Sequence, residues 1–313
     1  VTRREAWCLI ALAGLGACSE PAIRPPPARA SADHEATARA RFEPFRFASP
    51  FWLNLHLDLY AEAAGGEASG AGDPGWRGAV AHYRETWAGK SLFDPALVEV
   101  TNALRADVLA GVDRGHEAVL RAAEPGYRER VWPARQRCVR RFLEGLEPLV
   151  LRHGGALARR LGEVYRSPWP AEPMSLDVTG YAGRHGAYST LGPVRLTMAC
   201  DHPLHPGPLA LEIAFHEASH ALVRPLRDVL EGALAARGAP AGDAWHVMLF
   251  YLTGEIVRAE LGAGYVPYAE IHRLYAEGPW RAYQRALAQP LARYLAGDVG
   301  ADEALGAAAA ALR

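Results

Sequence analysis

Residues 208–225 read PLALEIAFHEASHALVRP. At about 100° per residue, Leu211, Phe215, Ala218 and Leu222 share one face of a helix, and His216 and His220 share the opposite face. The two histidines are four apart with Glu217 between them, a single turn of about 5.4 Å along the helix. Both imidazoles can therefore reach one tetrahedral ion while the intervening carboxylate holds a water. A packing role would place histidines within the apolar stripe, and they lie outside it.

A catalytic zinc site takes three protein ligands plus water, so a third donor must lie elsewhere. Glu231 is eleven residues beyond His220 with no glycine between to turn the chain. On a continuing helix it would stand about 16 Å along the axis, which disfavours it. Residues 243–262, DAWHVMLFYLTGEIVRAELG, offer His246 and Glu255. These are nine apart, about 180° around a helix, so both cannot face one ion. Glu255 shares its face with Met248, Leu252 and Ala259, where a buried carboxylate needs a cation; zinc or Arg258 would provide it. His246 lies with Leu249, Phe250 and Val257, as a hydrogen-bonded core histidine would. Glu255 is the expected ligand, and Gly254 lets its helix approach the HExxH helix.

The stretch before this helix differs in texture. Residues 174–200, MSLDVTGYAGRHGAYSTLGPVRLTMAC, are rich in Val, Thr and Tyr with Gly at the corners. Val194, Leu196 and Met198 alternate with Arg195, Thr197 and Ala199, as in a half-buried strand. Two or three antiparallel strands are expected there. Upstream the chain reads as helical from Pro50, with starts at Asp73-Pro74 and Asp94-Pro95. Breaks are expected at Gly115, Pro125-Gly126 and His153-Gly154-Gly155. The fold class is α+β, predominantly α: one domain over 46–313, with 46–170 helical and 171–313 carrying the sheet and the metal-site helices.

With 313 residues, half of them hydrophobic, and a net charge of −1, the chain has neither a nucleic-acid footprint nor the composition of a disordered one. No apolar run reaches the ~18 residues of a spanning helix. Residues 1–18, VTRREAWCLIALAGLGAC, have the basic start and short apolar stretch of a signal peptide. Leu15-Gly16-Ala17-Cys18 resembles the lipobox of bacterial lipoproteins, which implies lipidation at Cys18. Residues 19–45 read as a Pro-rich tether. The expected location is the bacterial cell envelope, anchored by lipid to the outer membrane on its periplasmic face. Cys138 and Cys200 could pair in such a compartment or remain two buried thiols.

The HExxH segment, the small sheet before it and the Glu after it resemble the gluzincin branch of the zincin metallopeptidases over residues 174–270. The same motifs resemble a group of bacterial proteins of unknown activity. The resemblance implies a Zn2+ ion on His216, His220 and Glu255, and a peptide or protein substrate, with Glu217 as general base for the attacking water. A second oxyanion stabiliser is needed, and Tyr265 and Tyr268 of GYVPY are the candidates beside a bland packing role. Gly186 to Thr190, with Ala187 and Tyr188, could be the strand edge that holds an extended peptide. Glu212 could meet a substrate amine. The family carries an Asp four residues after its Glu ligand, and here Ala259 stands there; Asp228 and Asp58 are the substitutes to examine. His202 and His205 read as loop residues, and His56 as a satisfied core histidine. The alternatives are a zinc-stabilised envelope lipoprotein without turnover and an amidase acting on cell-wall peptides.

Overall fold

The computed structural model describes residues 42–66, 72–276 and 278–312. The signal segment, Cys18 and most of the tether lie outside the described residues. From Phe42 onward the chain clusters as one unit. It opens with a short strand, β1 (Phe45–Ala48), and then the helices α1 (Phe51–Ala63), α2 (Pro74–Trp87), α3 (Pro95–Leu104), α4 (Arg114–Gly126) and α5 (Trp132–Val164). Strands β2 (Met174–Thr179), β3 (Ala187–Leu191) and β4 (Val194–Ala199) follow. The rest is helical: α6 (Pro208–Ser219), α7 (Arg224–Ala235), α8 (Ala244–Leu261), the one-turn α9 (Tyr268–Ile271), α10 (Gly278–Ala296) and α11 (Ala301–Ala311). The fold is α+β and mostly α.

The helix starts fall where their capping residues stand. Asp73 accepts from the Trp76 amide and Asp94 from the Ala96 amide, each followed by Pro in the first turn. The expected break at Pro125 is absent, because α4 runs through it into a π turn, Tyr127–Val131, and then directly into α5. A wider turn next to a proline absorbs its missing amide without ending the helix. The break expected near Gly115 falls just before it, between α3 and α4, whereas Gly154-Gly155 lie inside α5. A Cβ at Gly154 would stand 2.8 Å from Pro44 Cγ, so that glycine admits the chain entering β1 and does not interrupt α5.

The sheet has order β1-β2-β4-β3 and is mixed. Strands β1, β2 and β4 are parallel, and only β3 runs antiparallel, against β4. This corrects the expected antiparallel sheet. Strand β4 is not half-buried either: Leu196, Thr197, Met198 and Ala199 are all buried. Leu196 and Met198 join the core around α5, α6 and α8, while Ala199 joins the core of α1–α4. On that second side Arg105, at the C-cap of α3, pairs with Asp177 and donates to Thr197 Oγ1 at 3.1 Å. Thr197 thus meets an arginine and not water.

A disulfide joins Cys138 of α5 to Cys200, with a Cα–Cα distance of 5.7 Å. It ties the long helix to the chain leaving β4 toward α6. Helix α6 packs against β3, β4, α5 and α8, and every residue from Leu209 to Ser219 is buried. Its histidine face therefore looks into the interior, where α8 provides the opposite wall. No described helix is long and apolar enough to cross a membrane.

Candidate metal centre and cleft

His216 lies in the last turn of α6 and His220 at its C-cap. Helix α8 crosses α6 and presents His246 and Phe250, one turn apart, to that end. The ligand atoms of His216, His220 and His246 all lie within 4.8 Å of one another. His246 Nε2 stands 3.3 Å from His216 Nε2. Two nitrogens about 2.0–2.1 Å from a tetrahedral zinc are separated by roughly 3.3–3.4 Å, so the spacing fits a shared ion. Burial lowers the pKa of all three rings, assisted in His216 by His220 and His246 and in His220 by His246. His220 falls to about 3 and His246 to about 4. Neutral imidazoles with free lone pairs are what a metal ion requires.

The expected third ligand is elsewhere. Glu255 points around α8 to Arg258, whose Nε donates to it at 3.1 Å, and Arg258 also pairs with Glu270. The cation compensating this carboxylate is the arginine one turn on. The donors brought together are three imidazoles, unlike the two-His, one-Glu set implied by the gluzincin resemblance. His246 was hidden by its apolar neighbours. Phe250 belongs to the site itself, stacked on His216 with ring centroids 3.8 Å apart. Trp245 and Trp280 flank His246 at 5.0 and 5.5 Å.

Neither proposed orienting carboxylate reaches a ligand. Asp228 is exposed beside Arg224, and Asp58 is buried against Arg135 and Tyr127. His216 Nδ1 has no protein partner, so aromatic stacking fixes its ring where a hydrogen bond otherwise would.

Glu217 lines the cleft and is buried. Burial raises its pKa to about 7, and the nearby Ser189 hydroxyl opposes that rise. Glu217 also stands 3.9 Å from His220 Nε2, yet His220 is neutral, so this is no ion pair. Ser189 was not singled out from the sequence; the signal was its place on β3, two residues from Ala187. Strand β3 is an edge of the sheet, and Ala187, Tyr188 and Ser189 line the cleft, as the reading of Gly186 to Thr190 required.

The two tyrosines separate. Tyr265 donates to Glu212 Oε2 at 2.5 Å, and the Tyr268 amide donates to the same oxygen at 2.8 Å. Glu212 is fully buried, with its pKa raised to about 7 by burial against the pull of those two bonds. It pins the loop after α8 and does not line the cleft, so it cannot meet a substrate amine there. Gly254 makes room for it, since a Cβ would stand 3.1 Å from Glu212 Oε1 and 2.8 Å from Pro267 Cβ. The Tyr268 ring does line the cleft. Its pKa is pushed up to about 12 by burial and then by Glu212 and Glu217, which keeps the hydroxyl protonated as a donor.

His205 also lines the cleft, while the His202 ring lies tilted against it and bonds to the Arg184 carbonyl. His56 is a core histidine, as expected from its neighbours. The whole cleft has a volume of about 1100 Å3. No family model, curated protein or solved structure matches the chain.

Proposed function

We propose that this protein is a zinc-dependent hydrolase of peptide bonds, exported and lipid-anchored in a bacterial envelope. The observation that carries the reading is the convergence of three neutral imidazoles beside a buried glutamate and a free strand edge. His216, His220 and His246 would hold the ion, which supplies Lewis acidity toward a carbonyl and toward water. Strand β3 binds the substrate backbone by strand addition. Ser189, beside Glu217 in the cleft, would steady its carboxylate, and Glu217 removes the proton from the attacking water. The hydroxyl adds to the carbonyl carbon, the C–N bond breaks, and Glu217 returns the proton to the leaving nitrogen. Tyr268 offers its hydroxyl hydrogen to the developing oxyanion. The Cys138–Cys200 disulfide supports an oxidising compartment.

Elemental analysis of the purified protein tests the centre. Zinc near one per chain is expected in wild type and Glu255→Ala, and its loss in His246→Ala. Retention in His246→Ala would overturn this ligand set. The rival is a zinc-stabilised module without turnover, favoured by the missing partner of His216 Nδ1. It prevails if zinc-loaded wild type cleaves no member of a peptide library that includes cell-wall peptides.

A further inference from the structure

The walls of the cleft go beyond what the metal centre needs. One aromatic group packs on the imidazoles from the α8 side: Trp245, Phe250 and Trp280, extended by Leu274. A second group stands beside β3, next to the Ser189–Glu217 contact. There Phe93 meets Tyr188 edge-on with centroids 6.0 Å apart, and Tyr60 meets Tyr181 at 6.2 Å. Phe93 and Leu191 line the cleft yet remain 61% and 58% exposed, large apolar side chains left open to solvent at the free edge.

Charge is nearly absent from these walls. Among the described residues lining the cleft, Glu217 is the single carboxylate and Arg184 the single Lys or Arg, and none is Asp, Asn or Gln. A glycan site pairs its aromatic platforms with such planar polar groups to satisfy the sugar hydroxyls. A clamp for a free amine needs a second carboxylate, and Glu212 is sequestered beneath Tyr265 and Tyr268. A clamp for a free carboxylate needs a buried cation, and Arg184 is exposed on the loop between β2 and β3. We infer that the cleft takes the interior of an extended polypeptide with bulky apolar side chains on both sides of the cleaved bond. This rests on the hydrolase reading and adds its substrate class.

The test uses zinc-loaded Glu217→Gln protein, with binding read by calorimetry and by the change in intrinsic tryptophan fluorescence. End-capped peptides rich in Leu and Phe are compared with their Asp-substituted versions, with uncapped versions and with a chitin oligosaccharide. Capped apolar peptides are expected to bind at least about tenfold tighter than acidic ones, and no weaker than uncapped ones. Phe93→Ser and Leu191→Ser, both at exposed positions, should each weaken apolar binding about fivefold and leave zinc content unchanged. Equal or tighter binding of acidic peptides, of free termini or of the glycan overturns the inference. Wild-type cleavage of such other substrates sinks it while sparing the hydrolase reading. Apolar binding without any cleavage does the reverse.

Discussion

Two groups of buried and half-buried histidines sit in this molecule, one against each core, and they are assembled differently. Around α1–α4, Tyr83 places its hydroxyl between His56 Nδ1 at 2.7 Å and His116 Nε2 at 3.0 Å. Thr101 Oγ1 stands 3.5 Å from the other nitrogen of His56. Between His216, His220 and His246 no hydroxyl intervenes, and two Nε2 atoms face each other at 3.3 Å. Burial lowers the pKa of His56 and His116 just as it does at the second site, so pKa alone does not separate them. What separates them is whether a protein donor occupies the centre. A hydroxyl there makes a finished hydrogen-bond chain, while converging lone pairs leave room for a cation.

Substitutions can break or sharpen that contrast. The largest effect is expected from His246→Ala, which should drop zinc from near one per chain to background while Glu255→Ala retains it. Glu217→Gln should keep its zinc and lose roughly 10²–10⁴-fold in turnover on the best peptide. At the other histidine group, Tyr83→Phe should leave two ring nitrogens unpartnered. Denaturant melts are expected to show about 4 kcal/mol of lost stability with zinc unchanged, since each orphaned buried group costs about 1–3 kcal/mol. A tyrosine variant that shed zinc instead would erase the distinction.

Glu212 gives a smaller, pH-dependent effect. Burial raises its folded pKa to about 7 from an ordinary 4.5, so the folded protein holds this proton more tightly than the unfolded chain. Stability is then present at low pH and falls as pH rises from about 4.5 to about 7. Glu212→Gln keeps an acceptor for Tyr265 and the Tyr268 amide. It should flatten that decline, recovering about 3 kcal/mol at most at pH 8, read as a higher Tm. The smallest change is expected from Ser189→Ala: about tenfold in kcat with KM and zinc content unchanged, because the serine only positions Glu217.

Much of the site was legible because it depends on spacing along one helix. The turn between His216 and His220 puts both on one face, and Asp-Pro pairs mark where α2 and α3 begin. The period-2 stretch around Leu196 does form a strand. Strand β1 has four residues, too few for a period to register, and its pairing with β2 joins segments more than a hundred residues apart. The third ligand failed for a related reason. Glu255 and His246 were both credible from their helix faces, and the choice turned on which face meets α6. The apolar neighbours of His246 implied core packing. One of them, Phe250, stacks on His216 and so belongs to the histidine cluster.

From the sequence alone came the helical body with a small sheet, the imidazole pair and its intervening glutamate, the strand segment beside them and the core character of His56. These follow from local chain geometry, which repeats every few residues. The mixed order of the sheet, the Cys138–Cys200 link, the burial of Glu212 under two tyrosines and the arrival of His246 were decided by tertiary packing. Each depends on the distance between elements remote in sequence, and that distance is set by how whole faces fill the two cores.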